Sequence, residues 1–346
     1  MSPRRPTTGD DDVDALIDRI VERSGTDHGT VAVDLLTSAY EMIAGGTDRL
    51  DLKITATAVG ELGDAFSMFQ PHRGLHKVTV FGSARTQPDD PLFDLAVDVG
   101  HRFAQTGWMV VTGAGPGIML AANQGAGRDM SFGVDLALPF EVEPNPVLHG
   151  DPKLVEMRYF FTRKLMLMKE SQGFVALPGG LGTQDETFEL LTLQQTGKAE
   201  PTPVVLLDQP GGTYWSHWVD YLKAELEDRG MIHESDHELY IVTDDPAAAV
   251  TEIRAFWSNH HSIRYVGDRL VMRMHRPVTD HALEEINERF EHLVDDGRIV
   301  RSRPYRPEVE TDDHLDLHRL SFRYSRRHYG RLEPLIRAIN AGAAVD

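Results

Sequence analysis

Phe174-Val175-Ala176-Leu177-Pro178-Gly179-Gly180-Leu181-Gly182-Thr183-Gln184-Asp185-Glu186 is the stretch that decides the fold. Its first four residues are apolar without alternation, as in a short strand buried on both faces. Proline and three glycines then turn the chain. A helix is expected from Glu186 to Thr196. Strand, glycine loop and helix in that order leave backbone N–H groups free at the helix start, where they can face an anion.

The same unit repeats outward from this point. Strands are read at Val78–Phe81, Trp108–Thr112, Val134–Leu138, Phe174–Leu177, Val204–Leu207 and Leu239–Val242. Helices separate them at Leu92–Phe103, Ile118–Gly125, Tyr159–Lys169, Glu186–Thr196 and Trp215–Leu226, and Ala247–Phe256 closes the series. Short apolar strands alternating with helices predict an α/β domain, a Rossmann-like doubly wound parallel sheet with both faces covered. A second glycine loop, Thr112-Gly113-Ala114-Gly115-Pro116-Gly117-Ile118, ends the second strand. Its spacing is not that of a dinucleotide fingerprint, and Asp135 falls inside a strand instead of at its end, so a nicotinamide cofactor is disfavoured. The phosphate loop of nucleoside triphosphatases is absent. Taken alone this second loop reads equally as an ordinary turn; beside the first, it suggests one shared phosphate pocket.

Flanking segments have a different rhythm. Residues 13–72 carry apolar positions at helical spacing, interrupted at Gly45-Gly46, and predict an N-terminal helical extension ahead of the Rossmann-like domain over 73–258. Residues 259–346 read as a small C-terminal α+β appendage: strand character from Ile263 to Met274, a helix from Asp280 to Leu293, a polar loop with Pro304 and Pro307, a strand from Leu315 to Tyr324 and a helix from Leu332 to Ile339. Residues 1–12 are expected to be a disordered tail.

Composition narrows the function. The chain has 346 residues and a formal charge of −19, which disfavours the nucleic-acid backbone as a partner. It has no cysteine, which excludes disulfides, thiolate nucleophiles and Cys-ligated metal sites. No apolar run approaches the roughly 20 residues of a membrane span, and the N-terminus lacks a signal-peptide core, so the expected location is cytoplasmic. Of 16 histidines, His260-His261 and the set His314, His318 and His328 invite a metal reading. No third ligand is fixed by spacing, and no metal is expected.

Pro178, Gly179, Gly180, Gly182, Thr183 and Glu186 match the P-G-G-x-G-T-x-x-E motif completely, and in this the chain resembles the Lonely Guy family of phosphoribohydrolases. Phe161-Thr162-Arg163-Lys164-Leu165-Met166 is similar to the family's Arg-Lys helix; Phe81-Gly82-Ser83-Ala84-Arg85 and Gly113–Met119 resemble its first two loops. The likeness spans roughly residues 77–208, more weakly reaches 257, and covers neither extension. The overall length resembles the longer bacterial members. Proteins of this family often carry a lysine decarboxylase label, but nothing in the residues shows a pyridoxal-phosphate site.

The resemblance implies cleavage of the base from a nucleoside 5′-monophosphate, AMP-like or a cytokinin riboside 5′-monophosphate, without a cofactor. It implies Arg163 and Glu186 as catalytic residues, and a homodimer or higher homo-oligomer. A carboxylate at Glu186 suits an oxocarbenium-like transition state. Thr183-x-x-Glu186 is also a helix capping box, so the catalytic reading of Glu186 leans on the full motif. Arg163 has the surface salt bridge as its bland alternative. The expected phosphate- and substrate-binding set is Gly113, Gly115, Gly117, Gly179, Gly180, Gly182, Thr183, Ser83, Arg85, Lys164 and Met157, with Arg158 a weaker candidate. Glu189, one turn from Glu186, could tune its proton affinity, and Asp185 is expected to be solvated or to support the site from behind it. The competing readings are a non-catalytic nucleotide or molybdenum-cofactor carrier on the same scaffold and a sensor using the C-terminal appendage.

Overall fold

A computed structural model describes residues 7–137, 143–325 and 331–344. The chain divides into two compact units, Met1–Asp64 and Ala65–Asp346.

In the first unit, α1 (Asp11–Ser24) is capped by the Asp10 carboxylate, which accepts from the Asp12 and Val13 N–H groups. Residues 11 and 12, assigned on sequence to the tail, are therefore helical; residues 1–6 of that tail lie outside the described residues. Next come α2 (Gly29–Ala44), closed at Gly45, and α3 (Arg49–Phe69), whose last residues belong to the second unit.

The second unit is built on a seven-stranded, all-parallel sheet in the order β4-β3-β2-β1-β5-β6-β7. Its strands are β1 (Lys77–Phe81), β2 (Met109–Thr112), β3 (Ser131–Leu136), β4 (Leu154–Met157), β5 (Phe174–Ala176), β6 (Val204–Leu207) and β7 (Ile241–Thr243). The central strands are buried throughout, which is why they read as unbroken apolar runs. Helices α4 (Pro91–Gln105), α5 (Ile118–Ala126), α6 (Phe160–Lys169), α7 (Leu181–Gln195), α8 (Tyr214–Tyr221) and α9 (Pro246–Phe256) make the crossovers. Val78, Val80, Val110, Val175 and Val205 pack with Val99, Phe103, Ile118 and Ile253 from α4, α5 and α9 as one core.

The order reverses between β1 and β5. That is the switch point of a doubly wound sheet, where loops on either side diverge and leave a crevice at the strands' carboxyl ends. The loops after β1, β2 and β5 all open there, and two of them are the glycine loops.

β4 was not legible: Val155 and Met157 are buried while Leu154 and Glu156 are not, a weak alternation suited to a sheet edge. The third strand begins at Ser131, three residues earlier than expected, and Leu138 lies outside the described residues. Leu239 is buried at the end of a 3₁₀ turn (Glu234–Leu239), so β7 starts only at Ile241. After α8 the chain continues as a π-helical segment, Leu222–Glu227.

The C-terminal residues form a four-stranded antiparallel sheet, β10-β11-β9-β8. The single strand expected over Ile263–Met274 is a hairpin of β8 (His260–Val266) and β9 (Arg269–Met274), turning at Gly267, whose φ is +64°. The polar stretch expected as loop holds β10 (Val294–Arg301) and α11 (Arg306–Glu310). With α10 (Asp280–Arg289), β11 (His318–Tyr324) and α12 (Leu332–Ala341), these elements enclose a second core of Phe256, Leu270, Met272, Ile286, Phe322, Leu335 and Ile336. Asn340 ties α12 to the end of α9, donating to Phe256 O at 2.6 Å.

Candidate functional site

Around the switch point lies a cavity of about 550 Å³. Of the expected residues, Ser83, Arg85, Gly113, Gly115, Arg163, Gly180, Gly182, Thr183 and Glu186 line it, together with Met119, Asp135 and Phe160. Gly117, Gly179, Lys164 and Met157 do not.

α7 begins at Leu181, five residues before the start expected from sequence, and Gly180 is its N-cap without a side-chain cap bond. The capping-box alternative for Thr183 and Glu186 therefore does not hold. Thr183 is buried in the first turn, and Thr187 Oγ1 donates to its carbonyl at 2.7 Å. The first bond of the helix runs from Gln184 N–H to Gly180 O at 3.1 Å. The N–H groups of residues 181–183 precede it and have no acceptor within the helix, so the turn offers donors at the positive end of a helix dipole.

The β1, β2 and β5 loops hold one another. Ser83 N–H donates to Pro178 O at 3.2 Å, and Ile118 N–H donates to Ser83 O at 3.0 Å. Gly117 has φ +65°, and a Cβ there would stand 2.3 Å from Ser83 O, so glycine is demanded by the approach of two loops. Gly179 is similarly constrained: a Cβ would meet Thr183 Oγ1 at 2.2 Å. Both glycines shape the loops without lining the cavity.

Three polar supports were not found from sequence. Asn123 Oδ1 accepts from Thr112 Oγ1 at 2.7 Å and from Asn145 Nδ2 at 3.1 Å, while Asn145 N–H donates to Ala114 O at 2.8 Å. This network fixes Ala114 at φ +58°, unusual for a residue with a side chain. Tyr214 OH donates to Gly179 O at 2.6 Å and receives Gln184 Nε2 at 2.5 Å. Asp208 in turn accepts from Tyr214 N–H at 3.0 Å. Asp208 to Tyr214 is the loop after β6, the next loop along the same edge, and that position was the available signal.

Arg163 reaches back from α6 to the sheet. Its Nε donates to Val134 O at 2.9 Å, and one terminal nitrogen lies 3.4 Å from Gly113 O. A Cβ on Gly113 would fall 1.9 Å from that nitrogen, so the glycine makes room for the guanidinium. Nη1 stands 3.9 Å from Glu186 Oε1, and each side chain is 14% exposed. Burial pushes the Glu186 carboxyl up to about 7; Arg163 and Lys164 oppose this, and Asp185 and Glu189 add to it. Near pH 7 such a group can accept or donate a proton.

Lys164 points away from the cavity. Its Nζ lies 2.7 Å from Asp185 Oδ2 and 2.6 Å from Glu189 Oε2. Asp185, 56% exposed, is thus in an ion pair behind Glu186. Met157 is buried at the end of β4, paired with Leu136, and does not line this cavity, because a methionine there fills the core. Arg85 and Ser83 share a turn, Arg85 N–H donating to Ser83 Oγ at 3.1 Å.

Beside this cavity runs an apolar groove of about 1040 Å³ between α6 and α7, walled by Phe161, Leu165, Met168, Phe188 and Leu193. Phe160 lines both. Among the histidines, His260 is buried between Phe256 and Trp257, His261 meets His314 and His275 edge to face, and His318 is exposed on β11. His328 lies outside the described residues. Among the described residues no group of three or more His, Asp or Glu is arranged to hold a metal, and no helix is long and apolar enough to cross a membrane.

A family model described as "possible lysine decarboxylase" matches residues 117–253. The chain is similar to a cytokinin riboside 5′-monophosphate phosphoribohydrolase of Mycobacterium marinum, 30% identical over 167 residues, 47% of this chain and 84% of that protein. The protein of the same name from Mycobacterium tuberculosis is 30% identical over 158 residues, 44% and 81% of the two chains. The one from Rhodococcoides fascians is 29% identical over 181 residues, 51% and 89%. Solved structures include the molybdenum cofactor carrier protein of Chlamydomonas reinhardtii, 25% identical over 52% of this chain and 99% of that one, with TM-score 0.36. The molybdenum cofactor binding protein of Rippkaea orientalis is 20% identical over 52% and 96%, with TM-score 0.37. Likeness at that level decides nothing about activity.

Proposed function

Because the chain belongs to the Lonely Guy family, we propose that it hydrolyses the N-glycosidic bond of a nucleoside 5′-monophosphate, giving free base and ribose 5-phosphate. The substrate is AMP-like or a cytokinin riboside 5′-monophosphate. The observation that carries this reading is Arg163 facing a mostly buried Glu186 across 3.9 Å, in a cavity floored by the glycine loops.

The 5′-phosphate lies at the start of α7, taken by N–H groups of residues 181–183 and by Thr183, with Ser83, Arg85, Gly113 and Gly115 completing the cradle. Arg163 orients the ribose, and Glu186 stabilises the positive charge that develops at the anomeric carbon and takes a proton from the attacking water. One water is consumed: its hydroxyl joins the anomeric carbon, and its proton ends on the departing base. No cofactor takes part in these steps. The protein acts as a homodimer or higher homo-oligomer, with the exposed apolar side chains of α6 and α7 as the contact.

The experiment is incubation of purified protein with AMP, CMP, GMP, UMP and isopentenylated AMP, with chromatography of the released base. Base release from at least one, abolished in Glu186→Gln with binding retained, is the expected outcome. Tight binding with no release from any of the five would instead favour a nucleotide or molybdenum-cofactor carrier.

A further inference from the structure

We propose that Lys164 is a positioning residue: its ammonium ties α6 to α7 through the two carboxylates that flank Glu186, and so sets both the spacing of Arg163 and Glu186 and the charge around them. The proposal deepens the hydrolase reading and rests on it for its kinetic part alone.

The geometry is that of a two-point clamp. Arg163 and Lys164 are consecutive on α6 and therefore point about 100° apart around its axis. Arg163 turns to the sheet and the cavity, and Lys164 turns to α7. On α7, Asp185 precedes Glu186 and Glu189 follows it by one turn, so one cation spanning Asp185 and Glu189 holds the helix on both sides of Glu186. The two contacts, at 2.7 and 2.6 Å, are of charge-assisted length. Lys164 is 16% exposed, whereas Asp185 is 56% exposed, so the lysine stem is packed while its partners come from the rim. An ammonium committed to two carboxylates and absent from the cavity lining is not placed to bind a 5′-phosphate, the role its sequence position suggested.

Charge makes the clamp more than mechanical. Glu186 is faced by Arg163 and Lys164 from α6 and by Asp185 and Glu189 from α7; Asp135 of β3 and Arg85 of the β1 loop line the same cavity. Lys164 favours the Glu186 carboxylate, and Asp185 and Glu189 disfavour it. Together the three form a compact group whose effects on Glu186 are opposed in sign. Removing the cation leaves two uncompensated carboxylates beside Glu186. Removing the carboxylates leaves an uncompensated cation.

The test reads Glu186 directly. Full-length protein carrying ¹³C at the glutamate side-chain carboxyl is titrated by NMR, with the Glu186 resonance assigned from Glu186→Gln. In Lys164→Met its midpoint is expected to move upward; in Asp185→Asn/Glu189→Gln it is expected to move downward; in Lys164→Arg it stays close to the starting value. Base release by Lys164→Met at pH 7 is expected to fall about tenfold in kcat, with KM changed less than about twofold. Midpoints that stay fixed, or that move in the same direction in both charge variants, overturn the proposal, since loosening the helices alone gives no opposed pair of shifts. A rise in KM, or weaker binding of inorganic phosphate, without a change in midpoint identifies Lys164 as a phosphate ligand and overturns it too. Should Lys164→Met fail to fold, the Asp185→Asn/Glu189→Gln and Lys164→Arg midpoints still decide. If the unmodified protein releases no base, the hydrolase reading fails, while the titrations still judge the clamp.

Discussion

Gly113 lacks a side chain where Arg163 needs the space. A Cβ would fall 1.9 Å from the guanidinium nitrogen, and the obstructing group is the end of a flexible chain, not backbone. Gly113→Ala is therefore expected to fold normally but to displace Arg163, lowering kcat at least about tenfold, as misplacement by about 1 Å does; thermal melting together with steady-state rates checks both halves. Glu186 gives a prediction of the opposite kind. Its folded-state carboxyl is raised to about 7 from 4.5, so the folded protein holds a proton that the unfolded chain has released. That proton favours folding at low pH, and the advantage is lost as pH climbs from about 4.5 through 7. Above that window the buried carboxylate costs up to roughly 3 kcal/mol, and Glu186→Gln should melt at a higher temperature than the parent at pH 8, the difference vanishing near pH 4. Equal melting temperatures at pH 8 would contradict this. The Pro178–Glu186 motif and Arg163 were legible as residues because their types and spacing are tied to one geometry. Met157 could be read either way, because a buried methionine and a pocket methionine look alike in sequence, and it lies in the core.

At the scale of elements, the two glycine loops were readable from local order, since each is a strand, a turn and a helix written consecutively. What steadies them was not. Asn145 reaches Asn123 across 22 residues, and Tyr214 reaches Gly179 across 35, and no local pattern announces such pairs. Tyr214→Phe removes one donor to Gly179 O and one acceptor for Gln184, worth about 1 kcal/mol each. Its expected effect is a KM for nucleotide several-fold higher with kcat little changed, measured by base release over a range of substrate concentrations; an unchanged KM would show that the α7 loop holds its shape unaided. The early start of α7 at Leu181 escaped prediction because glycines 180 and 182 lower helix propensity, and the packing of Thr183 and Thr187 beneath the first turn overrides them.

For the whole molecule, alternation of short strands and helices announced the parallel sheet, while strand order had to come from the structure. The C-terminal sheet was less visible: its strands carry arginines that a sequence reading assigns to a surface. In the fold Arg273 and Arg319 are buried with Glu308, whose Oε1 accepts from Arg273 at 2.7 Å and from Arg319 at 3.2 Å. Glu308→Gln leaves the buried Arg319 guanidinium without its counter-charge and Arg273 with Asp313 alone, and is expected to destabilise the protein by about 3–5 kcal/mol, seen as a fall in denaturant midpoint. Hydrogen bonding and the two arginines hold Glu308 below the usual carboxylate range, and Asp313 is held low by Arg273 and Arg264. Groups lowered in this way stabilise the fold above their unfolded values, near pH 4, and that contribution disappears as pH drops through their folded values. The appendage should thus fail in acid, where Glu186 is at its most favourable.

Phe160 is a wall common to two spaces, the cavity of Arg163 and Glu186 and the apolar groove between α6 and α7. A shared wall makes the two spaces partners in a thermodynamic cycle. Whatever settles in the groove and shifts that ring changes nucleotide affinity by some factor, and reciprocity obliges nucleotide to change the occupant's affinity by the same factor. With a second copy of the chain as occupant, nucleotide would alter the dilution at which the copies separate. Sedimentation across a concentration series, without AMP and with saturating AMP, would then yield two dissociation constants whose ratio equals the square of the ratio of nucleotide affinities for the joined and separated forms, since each copy carries one site.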